Sequence, residues 1–497
     1  MDKIAYISVY DKTGIVEFAD ELLQIGFEIY SSGSTLKLLK QSEIDVEEMP
    51  YAIPVHAPVI WAFYNQKFPA ADFEIPKPLV VVSNLYPVSR IVGQDDFIPE
   101  ELSNYLDVAN STLLRAAARS FIDTVVVCDP KDYNMVLGAL KEFEEFPVER
   151  RRSLAAKAYY YCAYYDSTIA QYLAQNPSFL EDEMVLGLKK VEDLAYGENR
   201  HQKAALYSLS GSRPWGLASA NVIQGKPLNL NHYIDIDTAL ELVSEFEDTA
   251  CAIVKHSNPC ALVCAGKPSE AFHHAFRSDF QAAFGGVAAF NRPVDLETAK
   301  VISEEFIECV IASDYTKEAV DFLKLKKDLK VIMVPSMLLS PNEVEIHSVS
   351  GGILIEDKDN RTFLDGFVAA TARQPSGNEV YSMKIAFKTA KHAKTYSMVL
   401  VQGGQTIGIG AGQPTNLESL KIAVAKSKEK HPIIEPGNPI VLASDAPMSV
   451  KTLGEALNNG VSAIIQPGGG LEDNNCVDLC NQKNVSMVFA GIRHLKH

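Results

Sequence analysis

The sequence is poor in cysteine, with eight residues among 497, at positions 128, 162, 251, 260, 264, 309, 476 and 480. No CxxC pair occurs, which argues against a disulfide scaffold. Cys260-x3-Cys264 and Cys476-x3-Cys480 lack a nearby His pair, so no metal site is expected. No run approaches the ~18 apolar residues that cross a bilayer. The opening MDKIAYISVYDKTG has no basic stretch leading into an apolar core, so neither a membrane span nor a secretory leader is expected. Positive charge is in deficit, 46 Lys+Arg against 63 Asp+Glu, for a formal net charge of −17. That balance argues against a surface gripping nucleic acid through its phosphates, yet leaves room for a local anion pocket. Fixed-period repeats and low-complexity segments are also missing. What is present is a 47% hydrophobic composition, enough apolar surface to exclude disorder as the main state. The length suits two to four domains at roughly 100–200 residues each. A reduced, cytoplasmic enzyme is the class these features leave.

The first ~130 residues alternate strand and helix signals. Ile4 to Val9, Phe27 to Tyr30, Leu79 to Ser83 and Thr124 to Cys128 predict strands. Ile15, Phe18, Ala19, Leu22 and Leu23 recur at helical spacing up to Gly26, and Ser111 to Arg119 predicts another helix. This βαβα order implies a parallel sheet with helices on its faces. Residues 149–174 read as one long helix carrying Tyr159, Tyr160, Tyr161, Tyr164 and Tyr165. An aromatic face packed on its own domain is the favoured reading of that cluster, against a stacking platform for bases. Residues 175–190 form the best linker. Beyond them, strands at 252–254, 286–289, 310–312, 330–334 and 352–355 alternate with helices at 296–304 and 316–325. A further block follows from Tyr381, with a helix to about Lys394, a hairpin around Gly403-Gly404, a helix at 417–428 and strands at 439–442, 462–465 and 485–489.

Polar clusters stand where these strands end, the position at which open α/β sheets place ligands. Ser31-Ser32-Gly33-Ser34-Thr35 is a strand-to-helix turn able to offer amides and hydroxyls to a phosphate, or an ordinary capped turn. Lys255-His256-Ser257-Asn258-Pro259-Cys260 follows an apolar run. A Lys beside a His favours the neutral, basic imidazole and can steady an oxyanion, while a surface Lys beside a structural His is the plain alternative. Gly351-Gly352 and Gly408-Ile409-Gly410-Ala411-Gly412-Gln413 read as Gly-rich turns. The second lacks the spacing of a dinucleotide fingerprint. Gln466-Pro467-Gly468-Gly469-Gly470 ends a strand ahead of a helix. Arg493-His494-Leu495-Lys496-His497 follows directly on a strand, which suggests a docked rather than a frayed segment.

In this order the clusters resemble the bifunctional AICAR transformylase/IMP cyclohydrolase family of purine biosynthesis, where AICAR is aminoimidazole carboxamide ribonucleotide. The resemblance covers nearly the whole chain. It rests on Ser8-Val9-Tyr10-Asp11-Lys12-Thr13-Gly14, Asn84-Leu85-Tyr86-Pro87, Leu113-Leu114-Arg115-Ala116-Ala117-Ala118, Tyr196-Gly197-Glu198-Asn199-Arg200-His201-Gln202, the Lys255-His256 stretch, Ala283-Phe284-Gly285-Gly286, Ser444-Asp445-Ala446 and the Arg-His-x-x-His end. It implies an α/β fold: a methylglyoxal-synthase-like parallel-sheet domain (1–185), then two cytidine-deaminase-like units (186–375 and 376–497). It implies formyl transfer from 10-formyltetrahydrofolate as co-substrate, with no metal for the chemistry. Nucleotide and folate are the implied small-molecule partners, and a homodimer the implied assembly. Lys255 and His256 match the family's catalytic pair. Tyr196, Gly197, Asn231, Phe284, Gly285, Gly352, Asp445, Arg493 and His497 match its substrate-binding positions. Lys12, Ser32, Gly33, Thr35, Tyr86, Asp107 and Arg119 are what remains of its N-terminal site.

Departures from the pattern bear on function. The cation-bearing segment that the family carries before Val55-His56 is absent, and a family Lys is Arg119. Loss of one cation and alteration of another remove charge needed to activate a carbonyl, so cyclohydrolase activity is expected to be weak or absent. In the second half a family Arg is Ala195, Lys-Ser-Asn is Lys394-Thr395-Tyr396, another Arg is Asn416, and an aromatic run is Pro447-Met448-Ser449-Val450. A formyltransferase acting on AICAR or a close analogue is the main expectation. The alternatives are transfer to another amine and a non-catalytic nucleotide- or folate-binding paralogue.

Overall fold

In the computed structural model, which describes residues 3–49, 77–92, 97–143, 145–174, 182–210, 216–335, 344–363, 367–430 and 438–497, the chain divides into two compact units. One comprises Met1–Lys189 with Ser208–Arg213, the other Lys190–Tyr207 with Pro214–His497.

The first unit is organised by strands β1 (Ile4–Ser8), β2 (Glu28–Ser31), β3 (Glu47–Glu48), β4 (Val80–Ser83) and β5 (Val125–Val127). They pair in parallel in the order β3-β2-β1-β4-β5. Strands β1, β4 and β5 are buried along their whole length, which is why they read as unbroken apolar runs instead of alternating ones. Helices α1 (Ile15–Gln24), α2 (Gly33–Gln41), α3 (Val108–Arg119), α4 (Tyr133–Glu142) and α5 (Val148–Leu173) supply the cover. The pleat sends Val80 and Val82 into one core with Phe18 and Leu22, and Val81 into the other with Leu113 and Leu114. On α5 the tyrosines divide. Tyr165 is buried, Tyr161 is partly so, and their hydroxyls accept the amides of Asp107 (2.8 Å) and Leu85 (3.0 Å). Tyr159 and Tyr160 face solvent and Tyr164 is half-buried, so the expected packed face takes in three of the five tyrosines.

Strands β6 (Leu188–Asp193) and β7 (Ala205–Leu209), most of whose residues belong to the second unit, pair with each other. There follow β8 (Asn221–Gln224), α6 (Leu230–Ser244), β9 (Ala250–Lys255), β10 (Asn258–Cys264), α7 (Pro268–Ser278), β11 (Val287–Phe290), α8 (Leu296–Glu304), β12 (Cys309–Ala312), α9 (Lys317–Leu323) and β13 (Lys330–Met333). A hairpin of β14 (Val344–Val349) and β15 (Gly352–Asp357) stands apart from the main sheet. The chain continues through β16 (Val368–Ala369), α10 (Gly377–Lys391), β17 (Met398–Gln402), β18 (Gln405–Gly410), α11 (Asn416–Lys430), β19 (Ile440–Ser444), α12 (Val450–Asn458), β20 (Val461–Gln466), α13 (Asp473–Gln482) and β21 (Ser486–Phe489).

Twelve of these strands form one sheet in the order β16-β21-β20-β19-β17-β18-β10-β9-β11-β12-β13-β8. Outward from the central β10–β18 pair the two arms follow the same plan. Each has a helix, an antiparallel hairpin, a helix, then three parallel strands and an antiparallel edge strand. This duplication lies in topology and leaves no fixed period in the sequence. One apolar core runs under both arms beneath α6 and α10, while the opposite face carries a separate core for each arm. Helix α6 has no sequence signature because residues on nearly every side of it are buried, from Tyr233 to Val243, which erases an amphipathic stripe.

Charge is also buried between α6 and α10. Glu245 pairs with Lys391 (2.6 Å) and with His392 Nε2 (3.1 Å), and accepts Thr362 Oγ1 at 2.8 Å. Glu241 meets Lys358 (2.6 Å), Lys496 (3.4 Å) and His392 Nδ1 (3.6 Å). Burial opposes ionisation of both carboxyls, but His392 and the surrounding ammonium groups hold them well below the usual carboxylate range.

One expectation from the sequence is corrected. Gly408 lies within β18 and Gly410 is its last residue, so these two are strand residues and not part of a Gly-rich turn. A Cβ at Gly408 would fall inside the Ala423 carbonyl of α11, and one at Gly410 inside the Ser419 carbonyl. These glycines let strand and helix backbones touch. Gly410→Ala should therefore cost on the order of 1–3 kcal/mol, read as a lower urea midpoint. An unchanged midpoint would show that α11 has room to move.

Candidate active site

In the first unit the remnant residues gather around the ends of β1, β2 and β4. Thr35, on the first turn of α2, is held between the Val9 amide (3.1 Å) and the Val9 carbonyl (3.0 Å). Lys12 Nζ donates to Thr35 Oγ1 at 3.0 Å and to the Val9 carbonyl. Burial pulls the Lys12 ammonium below its ordinary range. Ser32 caps α2 by position, its hydroxyl 3.0 Å from Tyr6 OH, and Gly33 takes a positive φ of 60° beside it. Asn84 Oδ1 receives the amides of Tyr10 (2.7 Å) and Asp11 (2.8 Å), and Tyr86 packs edge-on against Tyr10. Asp107 caps α3 through the Asn110 amide at 3.0 Å, and Asn110 reaches Ser83 at 3.1 Å. Arg119 closes the other end of that 12-residue helix, about 18 Å from the cap at 1.5 Å per residue. The segment in which the family's cation-bearing stretch is missing, residues 50–76, lies outside the described residues.

In the second unit Lys255 and His256 stand where β9 turns into β10. Lys255 is paired with Asn258 across the hairpin, which leaves His256 and Ser257 as a two-residue loop. Lys255 Nζ donates to the Phe284 carbonyl at 2.6 Å, bringing Phe284 and Gly285 beside the pair. The Phe284 ring is exposed and stacks on Phe306 at 4.7 Å, an aromatic shelf open to solvent. Behind the loop, Asp235 of α6 accepts the amides of His256 (3.1 Å) and Ser257 (2.6 Å). The first turn of α6 is fixed by a reciprocal cap between Asn229 and His232. It meets the Tyr196-Gly197 loop: Leu230 N donates to the Tyr196 carbonyl (3.1 Å) and Asn231 Nδ2 to the Glu198 carbonyl (3.2 Å). Burial lowers the proton affinity of His232 against the opposing bond from Glu308, whose carboxylate lies 3.0 Å from His232 Nε2.

The second arm joins the same neighbourhood. Asn258 Oδ1 accepts the Lys394 amide at 2.9 Å. Asp445, fully buried, accepts Thr395 Oγ1 at 2.5 Å and the Ser397 amide at 3.0 Å, and its own carbonyl accepts the His494 amide. Residues 493–497 are docked. His494 is buried between Asp359 (2.5 Å) and the Thr362 carbonyl (3.2 Å), the Lys496 carbonyl accepts the Thr395 amide, and the His497 carbonyl accepts Lys394 Nζ.

The structure thus brings together Lys255, His256, Tyr196, Gly197, Asn231, Phe284, Gly285, Asp445 and His497 through successive contacts. Arg493 is exposed, three residues from the Lys496 anchor. Gly352 sits near the tip of the β14–β15 hairpin, exposed, and no contact among the described residues joins it to the Lys255 cluster. Sequence reasoning missed Asp235 and Asn258 as site residues. Asn258 lay inside the recognised stretch, whereas no local pattern marks Asp235. The Asn416 side chain is engaged within the fold: its amide donates to the Pro447 carbonyl (3.0 Å) and its oxygen accepts Thr452 Oγ1 (3.2 Å). Among the described residues, Glu345, His347 and Glu356 on the exposed hairpin are spaced to hold a metal ion.

Residues 117–426 match the family described as AICARFT/IMPCHase bienzyme. The chain is 36% identical over its full length to the full length of "Bifunctional purine biosynthesis protein PurH" of Persephonella marina. It is also 36% identical to the protein of that name from Bacillus subtilis, with 100% of this chain and 99% of that one aligned. A solved structure titled "Crystal structure of ForH" overlaps 35% of this chain and all of its own at 26% identity, with a TM-score of 0.31.

The buried Asp445 carries a pH signature. Burial is the larger influence and outweighs the bonds from Thr395 and Ser397, so the carboxyl is pushed up to about 6. A carboxyl that holds its proton more tightly folded than unfolded stabilises the fold at low pH, and the contribution is lost as pH rises through the folded value. Relative to Asp445→Asn, wild-type stability in urea should fall by on the order of 2–3 kcal/mol between about pH 4 and about pH 6, then level off. A flat difference across that window would show that Asp445 ionises normally.

Proposed function

The chain belongs to the AICARFT/IMPCHase bienzyme family, and from that premise we propose that its second unit transfers the formyl group of 10-formyltetrahydrofolate to the 5-amino group of AICAR. The observation that carries this reading is the Lys255-His256 turn, presented beside an open aromatic shelf. The amine nitrogen attacks the formyl carbon, and His256 accepts the proton that nitrogen sheds. Lys255 has three donors and spends one on the Phe284 carbonyl, which leaves donors for the oxyanion that forms on the formyl oxygen. Collapse breaks the bond from the formyl carbon to N10 of the folate, and N10 takes up a proton to leave as tetrahydrofolate. The exposed face of Phe284 and Phe306 suits a flat heterocycle such as a pterin.

The expectation of a weak or absent cyclohydrolase finds no support in the comparisons. Relatives aligned over the whole chain are named bifunctional. We extend ring closure of the formylated product, with loss of water, to the first unit, where Lys12 supplies a partly buried cation. We further propose the three-part division at residues 185 and 375, a cytoplasmic setting, and a homodimer. The β14–β15 hairpin favours the last. A two-stranded ladder is marginal by itself, and this one exposes Ile346, Val349, Ile353 and Leu354. A second reading, transfer to an amine without phosphate, is favoured by Ala195 and by the engaged side chain of Asn416.

The test mixes the protein with 10-formyltetrahydrofolate and AICAR and follows tetrahydrofolate release together with product mass. Product at the mass of IMP supports both activities, and product held at formyl-AICAR removes the ring closure assigned to the first unit. His256→Ala should lower transfer by on the order of 100-fold or more. Retention of the wild-type rate would overturn the assignment. Preference for the riboside over AICAR would establish the second reading, and no transfer to either would mark a non-catalytic paralogue.

A further inference from the structure

The loop that carries His256 has a conformation its own residues disfavour. Lys255 and Asn258 pair across the hairpin, and both intervening residues are left-handed, His256 at φ 56° and Ser257 at φ 60°. Two consecutive positive φ values at the centre of a two-residue hairpin form the arrangement that Asn-Gly or Gly-Gly adopt readily. A Cβ makes it costly: His is among the non-glycine residues found there more often, but Ser is not, and two such residues in succession are rarer still. Non-glycine residues persist there only when their surroundings over-determine them.

Two side chains hold the loop there. One carboxylate, Asp235, takes both loop amides, Oδ2 from His256 at 3.1 Å and Oδ1 from Ser257 at 2.6 Å. Asn258 Nδ2 donates to the His256 carbonyl at 3.3 Å while its Oδ1 takes the Lys394 amide. Asp235 projects from the second turn of α6, a helix buried on most sides and capped reciprocally at its start. The carboxylate is therefore a fixed template, and the loop is the part that conforms. His256 itself is exposed, so the direction of its ring is set mainly by its backbone.

We infer that Asp235 is the positioning residue of the transfer site: by holding the amides of His256 and Ser257 it imposes the left-handed turn that aims the imidazole. This rests on the reading of His256 as proton acceptor. Asp235 itself need not touch the substrate. Its loss lets the loop relax toward right-handed values and swings the ring away from the amine, with Lys255 left in place by its own bond to Phe284.

The test uses the full chain and four proteins, wild type, Asp235→Ala, Asp235→Asn and Asp235→Ala/Ser257→Gly, with His256→Ala as the marker of the underlying reading. Asp235→Ala should lower kcat about 10- to 100-fold, the penalty of misplacing a reacting group by about an ångström, while KM for AICAR stays within about threefold. A glycine at 257 adopts the positive φ unaided, so the double variant should regain at least about fivefold in kcat. A purely structural role would lower the amount of folded enzyme, visible in the melting temperature, without this selective rescue. Where Asp235→Ala does not fold, Asp235→Asn keeps one acceptor oxygen and should show a several-fold loss in kcat at constant KM. A kcat within twofold of wild type in Asp235→Ala (or in Asp235→Asn if that is the variant that folds), or a double variant no faster than the single one, overturns the inference. An active His256→Ala would instead overturn the reading beneath it.

Discussion

Two carboxylates buried at the C-terminal end of one helix, Glu241 and Glu245 of α6, set conditions that much of the second unit has to meet. They stand at the negative pole of the helix, where the macrodipole favours cations and disfavours anions, and inside protein, where an unpaired charge is expensive. They are four residues apart and so share a face. Lys391 and His392 from α10, Lys358 from the segment after the hairpin, and Lys496 from the docked end all answer them. Breaking a buried pair from one side typically costs about 3–5 kcal/mol because the remaining charge has no partner. The helices over the two arms of the sheet are therefore bound to each other by charge as well as by the apolar core beneath them.

The same helix reaches the chemistry. Asp235, nearer its start, grips the His256-Ser257 loop, and Asn258 of that hairpin takes the Lys394 amide. Thr395 donates its amide to the Lys496 carbonyl, and Lys496 Nζ returns to Glu241. The contacts form a closed circuit that begins and ends on α6. A residue in such a circuit is constrained from two directions, which is how a surface-exposed His can be held to a defined geometry without being buried. The docked 493–497 segment is part of that circuit, so its polar and charged side chains have internal partners in His494 and Lys496.

Much of this architecture was legible in the sequence because its causes are local. Unbroken β-branched runs such as Val80 to Val82 announce strands buried on both faces, and the spacing of Ile15, Phe18 and Leu22 announces a helix with one buried side. Other elements escaped for stated physical reasons. Helix α6 is buried nearly all round and shows no stripe. Strand β10 opens with Asn-Pro, which reads as a turn. The glycines of β18 resemble a ligand loop until the carbonyls of α11 are seen against them. Within the site, adjacency alone left Lys255 and His256 open between chemistry and a surface pair, and the family resemblance singled them out. Asp235 could not be read from the sequence, because its partners lie twenty-one and twenty-two residues on, and only the packing of α6 on β9 makes them neighbours.

For the proposed transfer to a nucleotide, a chain of net charge −17 must concentrate its cations and keep its anions occupied. The circuit on α6 does both. Glu241 and Glu245 are paired with cations inside the fold, so these two carboxylates present little free negative potential. Lys255 meanwhile directs its ammonium group to the Phe284 main-chain carbonyl, which orients it without cancelling its charge. A carboxylate partner would have held Lys255 as firmly and removed the field that the proposed nucleotide would need. A main-chain carbonyl thus holds the cation of the catalytic pair in place, while the carboxylates of α6 are consumed in holding the frame.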